Sequence, residues 1–449
     1  MIDTRARTGI ASAATGLWLM AALLALSACT ETRHFLTPPD VSGGPVRIAD
    51  ASGDRVYLLT TQWQKRQLFF SGRAVSSRGR TVSQLNVDLW VLDAATAQLV
   101  FRRRIREAEV NADAAAMGVD QGVMWARLPE LVGIRLSDGE IVADRERIAA
   151  RNPVLAGLLP LPPDSATFLT QQMQPHKFTA DAGLVIRLDD ARRVRIDPVT
   201  LQASPYEPPR EEESRDRAAR APLGSGRVVI ESMANGMEWR AMVRGLLVDK
   251  PGGGNEWLAL LAESELSQLK SHRPTVGAQM DFTEPRRHRL YRVSLEPVED
   301  FFGKRLEFGK AQVLPESPDF LMAGLLIQDR PSYQEQSALW RRNPDSVFVL
   351  SRDRLGDAGR LQLARVTGPR GRPAWTTALP LSNLSSWLPG ERHAVMIGPA
   401  PGVPQPPGAE ENENAPVHVL SIDLDTGALR AFDLGQNRGT PAIGGKDPT

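Results

Sequence analysis

The chain has 449 residues, 24% charged and 42% hydrophobic, with 54 Lys and Arg against 53 Asp and Glu for a formal net charge of +1. These are ordinary values for a folded globular protein, and the even balance excludes the basic surplus of a nucleic-acid-binding domain. A single cysteine excludes an internal disulfide, so a hydrophobic core must hold the fold.

Residues 1–28 read as a secretory signal: Arg5 and Arg7 form a positive leader, and Ile10 to Ala28 is apolar or small. An uncleaved membrane-spanning anchor is the alternative for an apolar run of this length. The cysteine, Cys29, follows directly in "LSAC", residues 26–29. That stretch resembles the lipobox of bacterial lipoproteins. The resemblance implies cleavage before Cys29 and attachment of acyl chains to it. More than one chain gives durable anchoring, because one alone binds only marginally. Thr30 stands where an aspartate retains enterobacterial lipoproteins on the inner membrane. Its presence implies sorting to the outer membrane, facing the periplasm.

Residues 29–45 are polar and rich in Pro and Gly, the composition of a tether. From residue 46 the chain becomes a series of short runs with the length and Val, Ile, Leu and aromatic content of strands. Examples are "RVYLLTT" (55–61), "VDLWVLD" (87–93), "QLVFRRRI" (98–105), "GVMWARL" (122–128), "LVGIRL" (131–136), "LVIRLDD" (184–190), "RVVIES" (227–232), "VFVLSRD" (347–353) and "VHVLSID" (417–423). Helical periodicity is scarce. It is clearest in "NEWLALLAESELSQLK" (255–270), where Leu258, Leu261, Ala262, Leu266 and Leu269 share a face and Asn255 can cap the start. Two proline-rich or charged stretches, 205–222 and 399–416, read as long exposed loops, and 436–449 as a loose tail.

One unit recurs: an apolar strand, an Asp or Ser, a short turn carrying Thr or Gly, and a second strand. It occurs in 89–105, 131–148, 192–204 and 417–434. Its turns place Asp93, Thr96, Asp138, Gly139, Thr200, Asp425, Thr426 and Gly427 in structural roles, supplying turn hydrogen bonds and permitted positive φ. Thr96 and Asp138 lie 42 positions apart, the length of one four-stranded propeller blade. The unit resembles the quinoprotein-type (PQQ-like) propeller repeat, in which a strand leads through Asp and Thr-Gly to a strand with a tryptophan, as in exported propeller proteins of proteobacteria. "DLDTGALRAF" lacks the tryptophan, "DAATAQLVF" carries Ala97 for the glycine, and "GPRGRPAWTTALPL" brings Trp375 with a degenerate turn. The expected fold is therefore all-β: a β-propeller over 46–435 of about seven blades, six to eight being compatible with the length, with a small helical insertion. A pair of two-sheet sandwiches is the alternative, since it also yields short, evenly spaced strands.

Constellations that carry chemistry are scarce. The six histidines are scattered with no His-x-x-x-His pair, so no metal site is expected. "DLDTG" (423–427) lacks the remaining ligands of a calcium loop and reads as a hairpin turn. "PLGSGR" around Ser225 has the wrong spacing for a nucleophile elbow, and Gly252 to Gly254 lack the Lys-Ser/Thr of a phosphate loop. Quinoprotein dehydrogenases commonly cover their cofactor with a vicinal disulfide, which one cysteine cannot make; no cofactor is expected. The eight tryptophans beyond the signal are read as wedges between sheets. The lipobox followed by degenerate propeller repeats looks like the accessory lipoprotein of outer-membrane barrel assembly. It implies a membrane-anchored scaffold that binds other envelope proteins, with an oxidoreductase or ligand-binding propeller as the alternative. The interruptions at 251–270 and 399–416 are the expected borders of a partner-binding face.

Overall fold

The computed structural model describes residues 32–50, 53–68, 80–108, 114–128, 130–161, 175–179, 181–207, 228–229, 256–263, 266, 287–300, 303–326, 346–355, 359–401 and 416–436. They are overwhelmingly β. Sheet I holds β1 (Thr32–Leu36), β2 (Asp40–Val41), β3 (Val46–Asp50), β4 (Gly53–Leu68), β5 (Arg80–Asp93) and β6 (Leu99–Ala108), with β1, β2 and β3 all pairing along β4. Sheet II is β7 (Ala115–Asp120), β8 (Val123–Leu128), β9 (Glu130–Arg135) and β10 (Ile141–Asp144), followed by helix α1 (Arg145–Arg151). Sheet III is β11 (His176–Thr179), β12 (Gly183–Arg187), β13 (Arg193–Ile196) and β14 (Ala203–Pro205). The two-residue β15 (Val228–Val229) returns to pair with β7.

Sheet IV is a seven-stranded network of β16 (Glu256–Ala262), β17 (Arg287–Asp300), β18 (Gly303–Val313), β19 (Phe320–Leu326), β20 (Ser346–Arg352), β21 (Leu361–Thr367) and β22 (Arg372–Ala378). Sheet V is β23 (Ser386–Leu388), β24 (His393–Pro399), β25 (Val417–Asp423) and β26 (Leu429–Asp433). Every described pairing is antiparallel, and the runs β3–β6, β7–β10, β11–β14, β19–β22 and β23–β26 are four-stranded meanders in chain order.

The period of two along these strands explains how the sheets stack. On β4 and β5, Tyr57, Leu59, Leu89 and Val91 pack with Met124, Ala126, Val132 and Ile134 of sheet II. Their neighbours Val56, Leu58, Trp90 and Leu92 point the other way and pack with Val395, Ile397, Val417 and Val419 of sheet V. The opposite face of sheet II offers Trp125 and Leu131 to Leu184, Ile186 and Val194 of sheet III. That of sheet V offers Met396, Leu420 and Ile422 to Phe348, Leu350 and Leu363 of sheet IV. The sheets thus follow one another as IV, V, I, II, III, with the N-terminal sheet packed directly on the C-terminal one. Burial on both faces is why "LWVL" (89–92) and "VFVL" (347–350) are continuous apolar runs with no polar alternation.

Two expectations change. The segment 255–270 differs from a helix where it is described: Glu256–Ala262 is strand β16, paired along its whole length with β17, and among the described residues of the segment helical backbone is found at Glu263 and Leu266. Leu258 and Leu260 pack with one cluster and Ala259 and Leu261 with another. A run that is apolar on two faces satisfies helical spacing by accident, and pairing with β17 decides it. Asn255 and Leu269 lie outside the described residues. The second change concerns 29–45, where Thr32–Leu36 and Asp40–Val41 are strands on β4 and not free tether. Residues 1–28 with Cys29, most of 205–222, 402–415 of the second loop and 437–449 of the tail lie outside the described residues.

Candidate functional site

The residues singled out as turn formers do not converge on one pocket. They occupy the turns between the third and fourth strands of successive sheets: β5–β6, β9–β10, β13–β14 and β25–β26. In three of these turns one carboxylate organises the loop. Asp93 Oδ1 accepts the backbone N–H of Ala95 and Thr96 and the Thr96 hydroxyl, at 3.1, 2.8 and 2.8 Å. Asp197 does the same for Val199 and Thr200, and Asp423 for Asp425 and Thr426. The carbonyl of each Asp then accepts from the residue four positions on, Ala97, Leu201 or Gly427, which sits at φ of 55°, 59° or 72°. The Thr200 backbone N–H holds the Asp197 carboxyl below its ordinary range, and the equivalent bond from Thr426 brings Asp423 down to about 2. At Asp93 burial works against ionisation, but the Thr96 and Ala95 bonds together outweigh it.

The turn of sheet II inverts the device. Arg135 stands at the Asp position, and Asp138 at the Thr position takes its guanidinium at 2.9 Å while accepting the Glu140 N–H at 3.0 Å. Gly139 then closes the turn at φ 70°. Asp425 is not the organising acid of the last turn; it contributes its N–H to Asp423. Spacing carries the missed signal: an Asp three residues before a Thr recurs at 93/96, 197/200 and 423/426, so Asp197 and Asp423 belong with Thr200 and Thr426.

Each turn also docks on the sheet that precedes it in the stack. Leu424 O of the sheet V turn accepts from Arg365 of β21 and from the Trp375 indole of β22, at 3.1 and 3.2 Å, and Thr377 donates to Gly427 O at 2.7 Å. A Cβ on Gly427 would lie 2.7–2.8 Å from Thr377 and Trp375, so glycine is required there by contact as well as by φ. The sheet II turn docks through Arg103 of β6, which donates to Asp138 O at 2.8 Å. The sheet III turn docks on Asn152, at the end of α1, through Leu201 O at 2.8 Å. The sheet I turn docks on sheet V: Ser421 of β25 donates to Ala94 O at 2.6 Å and lies 3.0 Å from Ala95 O. Arg47 of β3 adds bonds to the sheet V carbonyls of Leu388 and His393.

No family model matches the chain, and no curated protein matches it. Among solved structures it is similar to a member of the DUF4221 family from Bacteroides vulgatus, at 10% identity over 90% of this chain and 99% of that one, with a TM-score of 0.23. A likeness of that degree carries no argument about this chain.

The surface beside α1 is concave. An open groove of about 740 Å³ runs between α1 and the Pro198–Gln202 turn, lined by Val142, Arg147, Ala150, Arg151, Val199 and Thr200 among others. It combines two cationic side chains with apolar ones, and Val199 is 68% exposed at its rim. Of the turn formers named from the sequence, Thr200 is the one that lines it. A much smaller pocket nearby, about 20 Å³, is bordered by Glu130, Arg145 and His176 and has room for about one water. Burial pushes His176 down to about 4, with the Arg127 charge adding to the effect.

Among the described residues, sheet I carries a charge cluster whose centre is buried. Asp88 on β5 takes the guanidinium groups of both Arg102, at 2.6 Å, and Arg104. All three side chains are at most 2% exposed. Arg102 also lies 4.2 Å over the Trp90 ring, whose indole donates to Thr60 at 2.9 Å, and Arg104 reaches Glu107 at 2.7 Å. Two cations against Asp88 and Glu107 balance the charge, which makes the cluster a clamp across β5 and β6.

Proposed function

We propose that this protein is a lipid-anchored β-propeller of the cell envelope that serves as a scaffold for other envelope proteins. The carrying observation is the repeated turn docking, in which each turn bonds the sheet before it and the turn of the first sheet bonds the last. Such a stack behaves as one rigid body and leaves its connecting loops free to bind. A blade number of about seven fits the chain length. "LSAC" supports acylation at Cys29 and attachment to the membrane, with the outer membrane favoured by Thr30.

The groove beside α1 is the preferred contact. Arg147 and Arg151 suit an acidic segment, and Val142 and Val199 suit its apolar side chains. A photo-crosslinking residue in place of Val199, activated in intact cells, should capture a reproducible envelope protein. The same residue in place of Val154, which is 89% exposed and does not line the groove, should not capture it. The capture should be lost in Arg147→Glu/Arg151→Glu. Equal labelling from both sites, insensitive to the charge reversal, would remove the groove from the account.

A further inference from the structure

Sheet III presents one face to sheet II and turns a charged one outward, and its register decides which residues each face holds. Lys177 of β11 stands opposite Val185 of β12, Val185 opposite Arg195 of β13, and Arg195 opposite Ser204 of β14. Two residues further along β12, Arg187 stands opposite Arg193. Directly opposed residues point to the same side of a sheet, as do residues two apart on one strand, so Lys177, Arg187, Arg193 and Arg195 share a face. Phe178, Leu184, Ile186, Val194 and Ile196 hold the other, packed with Trp125 and Leu131 of sheet II.

All four cationic residues are exposed. Among the described residues none of their side chains has an ion-pair partner, and Arg195 alone has a hydrogen bond, from Nε to Ser204 Oγ at 2.8 Å. Val185, flanked by Lys177 and Arg195, is only 5% exposed, as expected where long aliphatic stems lie over an apolar residue and leave their charges in water. The acids close in sequence are engaged elsewhere: Asp190 by Arg192, Asp197 by Val199 and Thr200, and Asp181 by the Tyr206 hydroxyl at 3.1 Å. Asp189 and Glu207 stand at the margin, in the turn after β12 and past the end of β14. Strands about 4.8 Å apart and alternate residues about 7 Å apart put the four backbone positions within about 10 Å of one another. That is close to the distance over which charges act together at physiological salt.

We propose that the outward face of sheet III is a docking surface for an extended acidic segment of a partner protein. An extended chain places alternate side chains on one side about 7 Å apart, which is also the interval between Arg193 and Arg195 along β13. Alternate carboxylates then meet successive guanidinium groups, with Arg187 and Lys177 flanking the line. A guanidinium takes a carboxylate through two parallel bonds, and the Ser204 contact holds Arg195 in place for it. Charge fixes the sign of the partner, and the size of the patch fixes its class. Nucleic acids and similar polymers draw their affinity from counterions released over about six to ten phosphate contacts. Here there are four cations, on a chain whose charges sum to +1. The face is separate from the groove beside α1, which none of the four residues lines.

The test uses the full chain in a neutral detergent and a fluorescein-labelled peptide of alternating Glu and Thr, roughly eight residues long to span the face, with alternating Gln and Thr as the control. Arg147→Glu/Arg151→Glu is introduced first, so that the groove cannot supply the signal. Fluorescence anisotropy should still report binding of the Glu peptide and not of the Gln peptide, and about 0.5 M NaCl should weaken it at least about tenfold. Adding Arg187→Gln/Arg193→Gln should weaken it to a similar extent. Carbodiimide coupling, which joins a carboxylate to an amine in contact with it, should link the Glu peptide to Lys177 in the chain with all of its arginines, and that readout does not depend on how any variant folds. Loss of binding once the groove is reversed, or coupling spread evenly over the lysines without preference for Lys177, would overturn the face as a docking surface. Tighter binding of a polyphosphate of equal charge would overturn the acidic segment as its occupant. So would binding that appears only after Glu211→Gln/Glu212→Gln/Glu213→Gln, since the chain's own acidic run would then hold the face.

Discussion

Ser421, in the third strand of the C-terminal sheet, donates its hydroxyl at 2.6 Å to the carbonyl of Ala94, in the turn of the N-terminal sheet 327 residues earlier. The bond is buried and ties the two ends of the sheet series together. Ser421→Ala removes the donor and leaves the carbonyls of Ala94 and Ala95 without it, which should cost about 1–2 kcal/mol in urea unfolding. Because the bond joins sheets I and V, hydrogen exchange should speed up in β5–β6 and β25–β26 before it does in sheet III.

Asp423 accepts three bonds at one carboxylate oxygen, and those bonds exist for the ionised form. Its folded pKa of about 2 lies below the ordinary 3.8, so its contribution is complete above about pH 4 and is lost as pH falls towards 2. Asp423→Ala should lower stability at pH 7 by about 1–3 kcal/mol and flatten the loss between pH 4 and 2. Asp425→Ala, which keeps the backbone donor, should change stability by under about 0.5 kcal/mol. Equal effects from the two substitutions, measured by denaturant unfolding across that pH range, would show that the turn is organised differently.

Gly427→Val combines a left-handed φ of 72° with a Cβ set against Trp375 and Thr377. The expected loss is about 2–4 kcal/mol, and the Trp375 fluorescence should change because the turn is lifted from β22. Ala97 adopts φ 55° at the matching position of sheet I. Ala97→Gly should therefore be neutral or stabilising by about 0.5 kcal/mol, so the two substitutions have opposite signs at equivalent sites.

Asp88 neutralises two arginines that are almost wholly buried. Asp88→Ala should destabilise by about 3–5 kcal/mol, because it strands two uncompensated cations. The triple replacement Asp88→Leu/Arg102→Met/Arg104→Met should recover most of that loss, since a buried ion cluster is weakly stabilising against an apolar one of similar volume. Thermal unfolding of the single and triple variants reads the difference directly.

Much of the strand order was legible in the sequence because apolar runs such as "VFVLSRD" are bounded by turn chemistry, and because Asp-x-x-Thr recurs. Which acid organises the last turn was harder to see: "DLDTG" holds two, and the one adjacent to Thr426 drew attention away from Asp423, which has the right spacing. "EWLALLA" misled for a different reason. Leu258 and Leu260 pack on one side of β16 and Ala259 and Leu261 on the other, so helical and strand periodicities fit equally well, and the choice is made by pairing with β17. The Asp88 clamp has no local signature: "QLVFRRRI" reads as a strand, but Arg102 and Arg104 meet Asp88 and Trp90 only once β6 lies along β5. The groove beside α1 is formed by segments about 50 residues apart and has no local signature.

The direct packing of the first sheet on the last is the feature on which the scaffold rests, and a distance between them measures it. Spin labels at Val100→Cys on β6 and Arg430→Cys on β26, both exposed positions, can be read by pulsed electron resonance in a Cys29→Ser background. Stacked sheets about 10 Å apart should give a single narrow distribution below about 30 Å, unchanged by sub-denaturing urea. A broad distribution centred beyond about 40 Å would mean that the two ends of the sheet series do not meet, and the propeller scaffold would fall with it.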